Sequence, residues 1–171
     1  MNKKKYINWH TLSLLGALGV ILILYVSSSM TYKQQTSVPF LEHYLTTRPF
    51  EDSLSHISFE YAGKTISIQQ GGYFKFVEFF IRKGAHFGTY FLLGMLLYLG
   101  LMQFIKKYWF AGTVSLVLSA MYACFDEFHQ YLTGDRTPLI QDVILDSCGA
   151  LCGILLSLLV TFLVLRRRNR V

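Results

Sequence analysis

The sequence predicts an all-α integral membrane protein, a four-helix transmembrane bundle with a short extracytoplasmic β-hairpin in its first loop. Two observations carry the bundle: four long apolar runs, and a composition of 53% hydrophobic but only 15% charged residues. Soluble domains average roughly 25% charged. The third observation is the placing of the basic residues. Lys3, Lys4 and Lys5 open the chain, and Arg166, Arg167, Arg168 and Arg170 close it, each cluster abutting an apolar run. Cytoplasmic anchors of membrane helices have this arrangement. The net charge of +6 therefore points to a membrane surface, and nucleic acid is not an expected partner.

A cytoplasmic N-terminus over 1–8 precedes the first helix, at 9–29, whose apolar core runs from about Trp9 to Val26. At about 18 residues that core just reaches spanning length. Its basic flank and the small residues Ser27, Ser28 and Ser29 resemble a secretory signal, but no Ala-x-Ala site follows, so an uncleaved helix is expected.

A polar loop occupies about 30–80 and holds Pro39 and Pro49, which break up helix. Within it, His56-Ile-Ser-Phe-Glu-Tyr61 and Thr65-Ile-Ser-Ile-Gln69 alternate apolar and polar residues around the turn Ala62-Gly63-Lys64. This predicts a β-hairpin over about 56–69. A lone hairpin is marginal in water, so it is expected to rest on the bundle.

Three more helices are predicted at about 84–105, 109–131 and 139–165, the last two joined by the tight turn Thr133-Gly-Asp-Arg-Thr-Pro138 and followed by the basic tail 166–171. The clusters Lys3 to Lys5, Lys106-Lys107 and the terminal arginines are separated by even numbers of crossings and so share one side. The positive-inside bias makes that side cytoplasmic, with both termini there. Six basic residues between Lys33 and Lys83 weaken the bias. Cys124, Cys148 and Cys152 lie in apolar runs and read as small buried residues, without a disulfide or zinc pattern.

The informative residues are ionisable ones inside the apolar runs. Glu78, Arg82 and His86 are spaced four apart at the start of the second helix, with Lys83 beside them. Asp126, His129 and Gln130 occupy i, i+3 and i+4 at the end of the third, with Glu127 adjacent; Asp142 and Asp146 are four apart in the fourth. At 1.5 Å per residue, Asp126 and Asp146 each lie roughly 9 Å beneath the outer surface. Three segments thus bring charge to one level of one leaflet. A charge at the centre of a membrane helix costs about 2.5–3.5 kcal/mol, so these groups must pair or line a wet cavity. Arg82, Lys83 and Arg136 against Asp126, Glu127, Asp142 and Asp146 supply opposite signs, and a polar pocket opening outward is expected. The Gly149-x-x-x-Gly153 spacing allows close approach of another helix.

The strings Glu78-Phe-Phe-Ile-Arg-Lys-Gly-Ala-His-Phe-Gly-Thr-Tyr90 and Asp126-Glu-Phe-His-Gln-Tyr131 resemble the VanZ-like family of bacterial membrane proteins. Asp135-Arg136 and Asp142-x-x-x-Asp146-x-x-Gly149-x-x-x-Gly153 complete the resemblance, which runs from roughly Phe59 to the end of the fourth helix. Many family members have Asn where this chain has Asp146, a departure that adds a carboxylate to the pocket. The resemblance implies an envelope protein in a bacterial plasma membrane. It also implies a connection to reduced susceptibility to teicoplanin, the glycopeptide with which the founding member is associated.

The leading expectation is a site for a lipid-linked or lipophilic ligand, such as a lipid-linked cell-wall precursor or a lipoglycopeptide. Arg82, Lys83, His86, Asp126, Glu127, His129, Gln130, Arg136, Asp142 and Asp146 are the candidate ligand-binding residues. Arg82, Lys83 and Arg136 suit phosphate or pyrophosphate. No cofactor is expected. An alternative is an intramembrane hydrolase or transferase, with Asp126, Glu127 and His129 as acid–base candidates and His86, Asp126 and Asp142 as metal-ligand candidates. No HExxH, CxxC or nucleophile-elbow motif supports it. A third reading is a polar network that only fixes helix register.

Overall fold

A computed structural model describes residues 8–133 and 138–168. Four long helices dominate: α1 (Trp9–Ser28), α6 (Tyr73–Leu101), α7 (Tyr108–Leu132) and α8 (Ile140–Arg168). All four are long and apolar enough to cross a membrane. Between α1 and α6 lie the short helices α2 (Tyr32–Gln35), α3 (Val38–Tyr44) and α4 (Glu51–Ser55), the strands β1 (Ser58–Tyr61) and β2 (Lys64–Ser67), and α5 (Ile68–Gly71).

The strands pair antiparallel, with Tyr61 opposite Lys64 and Ser58 opposite Ser67. The turn consists of Ala62 and Gly63 alone, at φ 52° and 74°, and Lys64 already belongs to β2. Positive φ at both central residues matches the right-handed twist of the strands, and glycine takes that region without strain. The hairpin does rest on the bundle. Phe59 packs edge-on to Phe79 with ring centroids 5.7 Å apart, and Tyr61 meets the same ring at 5.2 Å.

Helix α6 starts well before the apolar run that announces it. Gly72, at φ 79°, turns the chain, and helix begins at Tyr73. Residues 73–83 are amphipathic, burying Tyr73, Phe76 and Glu78 while Lys75 stays exposed. That pattern forms helix without a continuous apolar run. The 29 residues span about 43 Å against a hydrocarbon core of about 30 Å, so the polar first turns project past the apolar layer.

Helices α6 and α8 run parallel and in close contact. A Cβ on Gly149 would overlap the carbonyl oxygen of Phe87, one on Gly153 that of Phe91, and one on Gly94 that of Ala150. The small-residue spacing read from sequence therefore serves the α6–α8 crossing. Helix α1 lies across α6 and α7. Its Ala17, Val20 and Leu24 share a core with Tyr90, Leu93 and Ala123. Hydrogen bonds tie α1 down along its length: His10 Nδ1 to the Leu99 carbonyl at 2.5 Å, Tyr122 Oη to the Ile21 carbonyl at 3.0 Å, and Thr133 Oγ1 to the Ser28 carbonyl at 3.1 Å.

The bundle's outer surface is apolar, with Leu22, Ile23, Met121, Leu155 and Phe162 among its exposed side chains. Lipid rather than water suits this face. Cys124, Cys148 and Cys152 lie on it, exposed, which corrects the expectation that they are buried. A thiol is small and weakly polar enough to face acyl chains at little cost.

Candidate functional site

At the end of the bundle where α6 and α8 begin, a cavity of about 590 Å³ opens beneath the hairpin. Tyr61, Ala62 and Lys64 from the hairpin cover it, α6 contributes Lys75, Glu78, Phe79, Arg82, Lys83 and His86, and α7 and α8 contribute Glu127, Gln130 and Asp142.

The acids lining this cavity are each already bonded. Glu78, 2% exposed, accepts from Tyr32 Oη at 2.9 Å, Thr36 Oγ1 at 2.8 Å and the Ser37 amide at 2.6 Å. It thereby staples the segment after α1 to α6. Glu127 Oε2 accepts from the Leu139 amide at 2.9 Å, capping the start of α8 from the neighbouring helix. Asp142 Oδ1 lies 2.5 Å from Lys83 Nζ and also accepts from Tyr61 Oη. Burial, and then the Asp142 carboxylate, hold the Tyr61 phenol well above its ordinary value, so it stays a donor. Tyr32 is likewise pushed up by burial and by Glu78.

The cations differ. Lys83 also sits over the Tyr61 and Phe79 rings, at 4.8 and 5.7 Å. Arg82 lies over the Tyr32 ring at 5.2 Å and makes no ion pair within 4 Å among the described residues. Lys64 and Lys75 have none there either. The cavity therefore holds cationic capacity beyond its own acids.

One layer deeper, side chains from three helices converge. His86 Nδ1 is 3.5 Å from Asp146 Oδ2, and one ligand atom each from His86, Asp126 and Asp146 lie within 4.8 Å of one another. Asp126 is 1% and Asp146 0% exposed. Gln130 Nε2 donates to Asp126 Oδ2 at 3.0 Å.

The structure thus brings together Arg82, Lys83, His86, Glu127, Gln130 and Asp142 at the cavity wall, with Asp126 and Asp146 behind His86. Asp142, anticipated beside His86 and Asp126, sits one turn above them with Lys83, and Asp146 takes its place in the group of three. His129 turns away. Its Nδ1 is 2.8 Å from Ser28 Oγ, and its ring stacks on Tyr25 at 4.7 Å, on the α1 side of α7. Arg136 lies outside the described residues. Sequence reasoning missed Tyr61, Lys64 and Lys75. The signal for Lys75 was present: it precedes Phe79 and Lys83 by successive steps of four.

Four membrane-length helices with an ionisable cluster enclosed at one end define a multi-pass membrane protein with a built polar site in the bundle. Lipid is the environment of its outer face. The chain belongs to the VanZ/LLP1 family, whose model matches residues 13–162. No curated protein and no solved structure gives a match.

Proposed function

We propose that the cavity binds the anionic headgroup of a lipid-linked or lipophilic cell-envelope ligand, phosphate or pyrophosphate being the group that fits, from the outer leaflet of a bacterial plasma membrane. One observation carries this reading. Glu78, Glu127 and Asp142 are occupied by donors of the protein itself, whereas Arg82, Lys64 and Lys75 have no acid within 4 Å among the described residues. An anion entering under the hairpin would meet a guanidinium already oriented by the Tyr32 ring, and Arg suits bidentate phosphate contacts. The rings of Phe79, Tyr61 and Phe76 give the cavity apolar walls for the first carbons of a lipid chain.

Lys106-Lys107 and the arginines at the end of α8 lie at the opposite end of the bundle from the cavity, and the positive-inside bias supports a cytoplasmic position for that end. A site in the outer leaflet is where a lipid-linked cell-wall precursor and an acylated glycopeptide meet, so the same reading supports an effect on susceptibility to teicoplanin-type glycopeptides.

The test uses the full chain in nanodiscs, with a polyprenyl pyrophosphate and the matching polyprenol as probes. Wild type is expected to retain the pyrophosphate lipid selectively, and R82A to lose about tenfold or more in affinity, one charge-assisted hydrogen bond being worth about 1.5–3 kcal/mol. Equal binding of the uncharged polyprenol, or full binding by folded R82A, would defeat the reading. In cells, R82A at wild-type membrane abundance should behave as a deletion toward teicoplanin.

A further inference from the structure

Beneath the cavity, the charges of Asp126 and Asp146 are more deeply enclosed than anything the headgroup site requires. Oδ1 of Asp146 and Oδ1 of Asp126 are buried without a hydrogen-bond partner, and His86 Nδ1 and Asp146 Oδ2 have only each other, at a long 3.5 Å. Tyr90, one turn below His86 on α6, is 0% exposed, and its hydroxyl is also unpartnered while lying in electrostatic range of both carboxylates. Native proteins leave few buried polar atoms unsatisfied, and a concentration of them at one point calls for an occupant.

A shared proton is too small an answer. One shared proton would join one oxygen of each carboxylate but leave His86 Nδ1 with nothing nearer than Asp146 Oδ2 at 3.5 Å. No lysine or arginine reaches this depth among the described residues, Lys83 being held by Asp142 one turn above, and His86 can offset at most one of the two carboxylates. A divalent ion satisfies a nitrogen and two or more oxygens at once and offsets the two carboxylate charges in a low-dielectric setting. We propose that His86, Asp126 and Asp146 form a binding site for a divalent transition-metal ion of the zinc or manganese class. One imidazole with two carboxylates is a donor set these ions accept.

Ligand atoms on a tetrahedral ion, each about 2.0–2.2 Å away, stand about 3.3–3.6 Å apart. The observed ceiling of 4.8 Å thus needs closure by about an ångström, within reach of side-chain rotation. Three protein ligands leave coordination positions free, and His86, which lines the cavity, puts the ion next to it. The three ligands come from α6, α7 and α8 separately, so no contiguous motif marks the set in the sequence. The site does not depend on what the cavity above it binds.

The full chain in nanodiscs, stripped with a chelator and equilibrated with Zn²⁺ or Mn²⁺, should retain a single ion per chain by elemental analysis. D52N, altered at an exposed position of α4 outside the cavity, should retain it as well, and D126N and D146N should lose about tenfold or more in affinity. Because an altered acid can harm folding, wild type carries its own readout: titration should suppress the free-ion Mn²⁺ EPR signal stoichiometrically, and Zn²⁺ should restore it by competition. Wild type without stoichiometric metal would assign the layer to a water or a shared proton and overturn the proposal. Folded D146N with wild-type uptake would overturn it equally.

Discussion

Asp142 joins three parts of the protein through one carboxylate oxygen: the hairpin through Tyr61, α6 through Lys83, and its own helix α8. Lys83 and Asp142 are only partly buried, at 22% and 16% side-chain exposure, so water shares in solvating the pair. D142N keeps the shape but removes the charge facing Lys83, and a loss of about 1–3 kcal/mol is expected. Y61F deletes only the phenol donor and should cost less, about 0.5–1.5 kcal/mol. Thermal melts of the two variants in detergent check the order, and hydrogen exchange over 58–67 should rise in both. At this scale sequence identified which residues matter better than it identified their partners. His129 and Gln130 are about 100° apart on α7, so in a bundle with neighbours on both sides one meets α1 and the other the cavity. Asp142 and Asp146 share a face and differ by one turn of depth; only the α6–α8 register decides that Lys83 meets the first and His86 the second.

That register belongs to the helices. Gly149 and Gly153 let the α8 backbone sit against the carbonyl groups of Phe87 and Phe91, and the contact fixes depth as well as distance. G153A would place a methyl group into backbone that cannot rotate aside. Overpacking of this kind costs about 1–3 kcal/mol, and a lower melting temperature in detergent is expected. Relief by separation or sliding of α8 would also move Asp146 relative to His86. The variant should therefore bind metal more weakly than its loss of stability alone explains, a difference that the nanodisc uptake assay measures on the folded fraction. G88A is the matched control, since nothing lies within 4 Å of a Cβ there. The spacing of the glycines was legible in the sequence, but the identity of the facing helix was not, because a small-residue stripe specifies closeness without specifying a partner. The start of α6 was hidden for a related reason: hydropathy marks where lipid begins, whereas helix starts where Gly72 turns the chain.

For the whole molecule, the decisive asymmetry is between its two ends. The cavity end is polar, roofed by a hairpin and stapled by Glu78 to the segment after α1; the other end carries Lys106, Lys107 and the arginines that finish α8. The basic residues around the cavity would oppose the positive-inside bias if it counted all charges alike. The bias is strongest for short loops close to the spans, which describes Lys106 and Lys107, in the short link between α6 and α7. The hairpin end should therefore face out. In a variant without native cysteines, Lys64→Cys on the hairpin should react with a membrane-impermeant maleimide in intact cells, and Lys107→Cys only after permeabilisation. The opposite pattern would put the cavity in the cytoplasmic leaflet, where no extracellular glycopeptide reaches it, and the susceptibility part of the proposed function would fall while the headgroup and metal chemistry of the site stood.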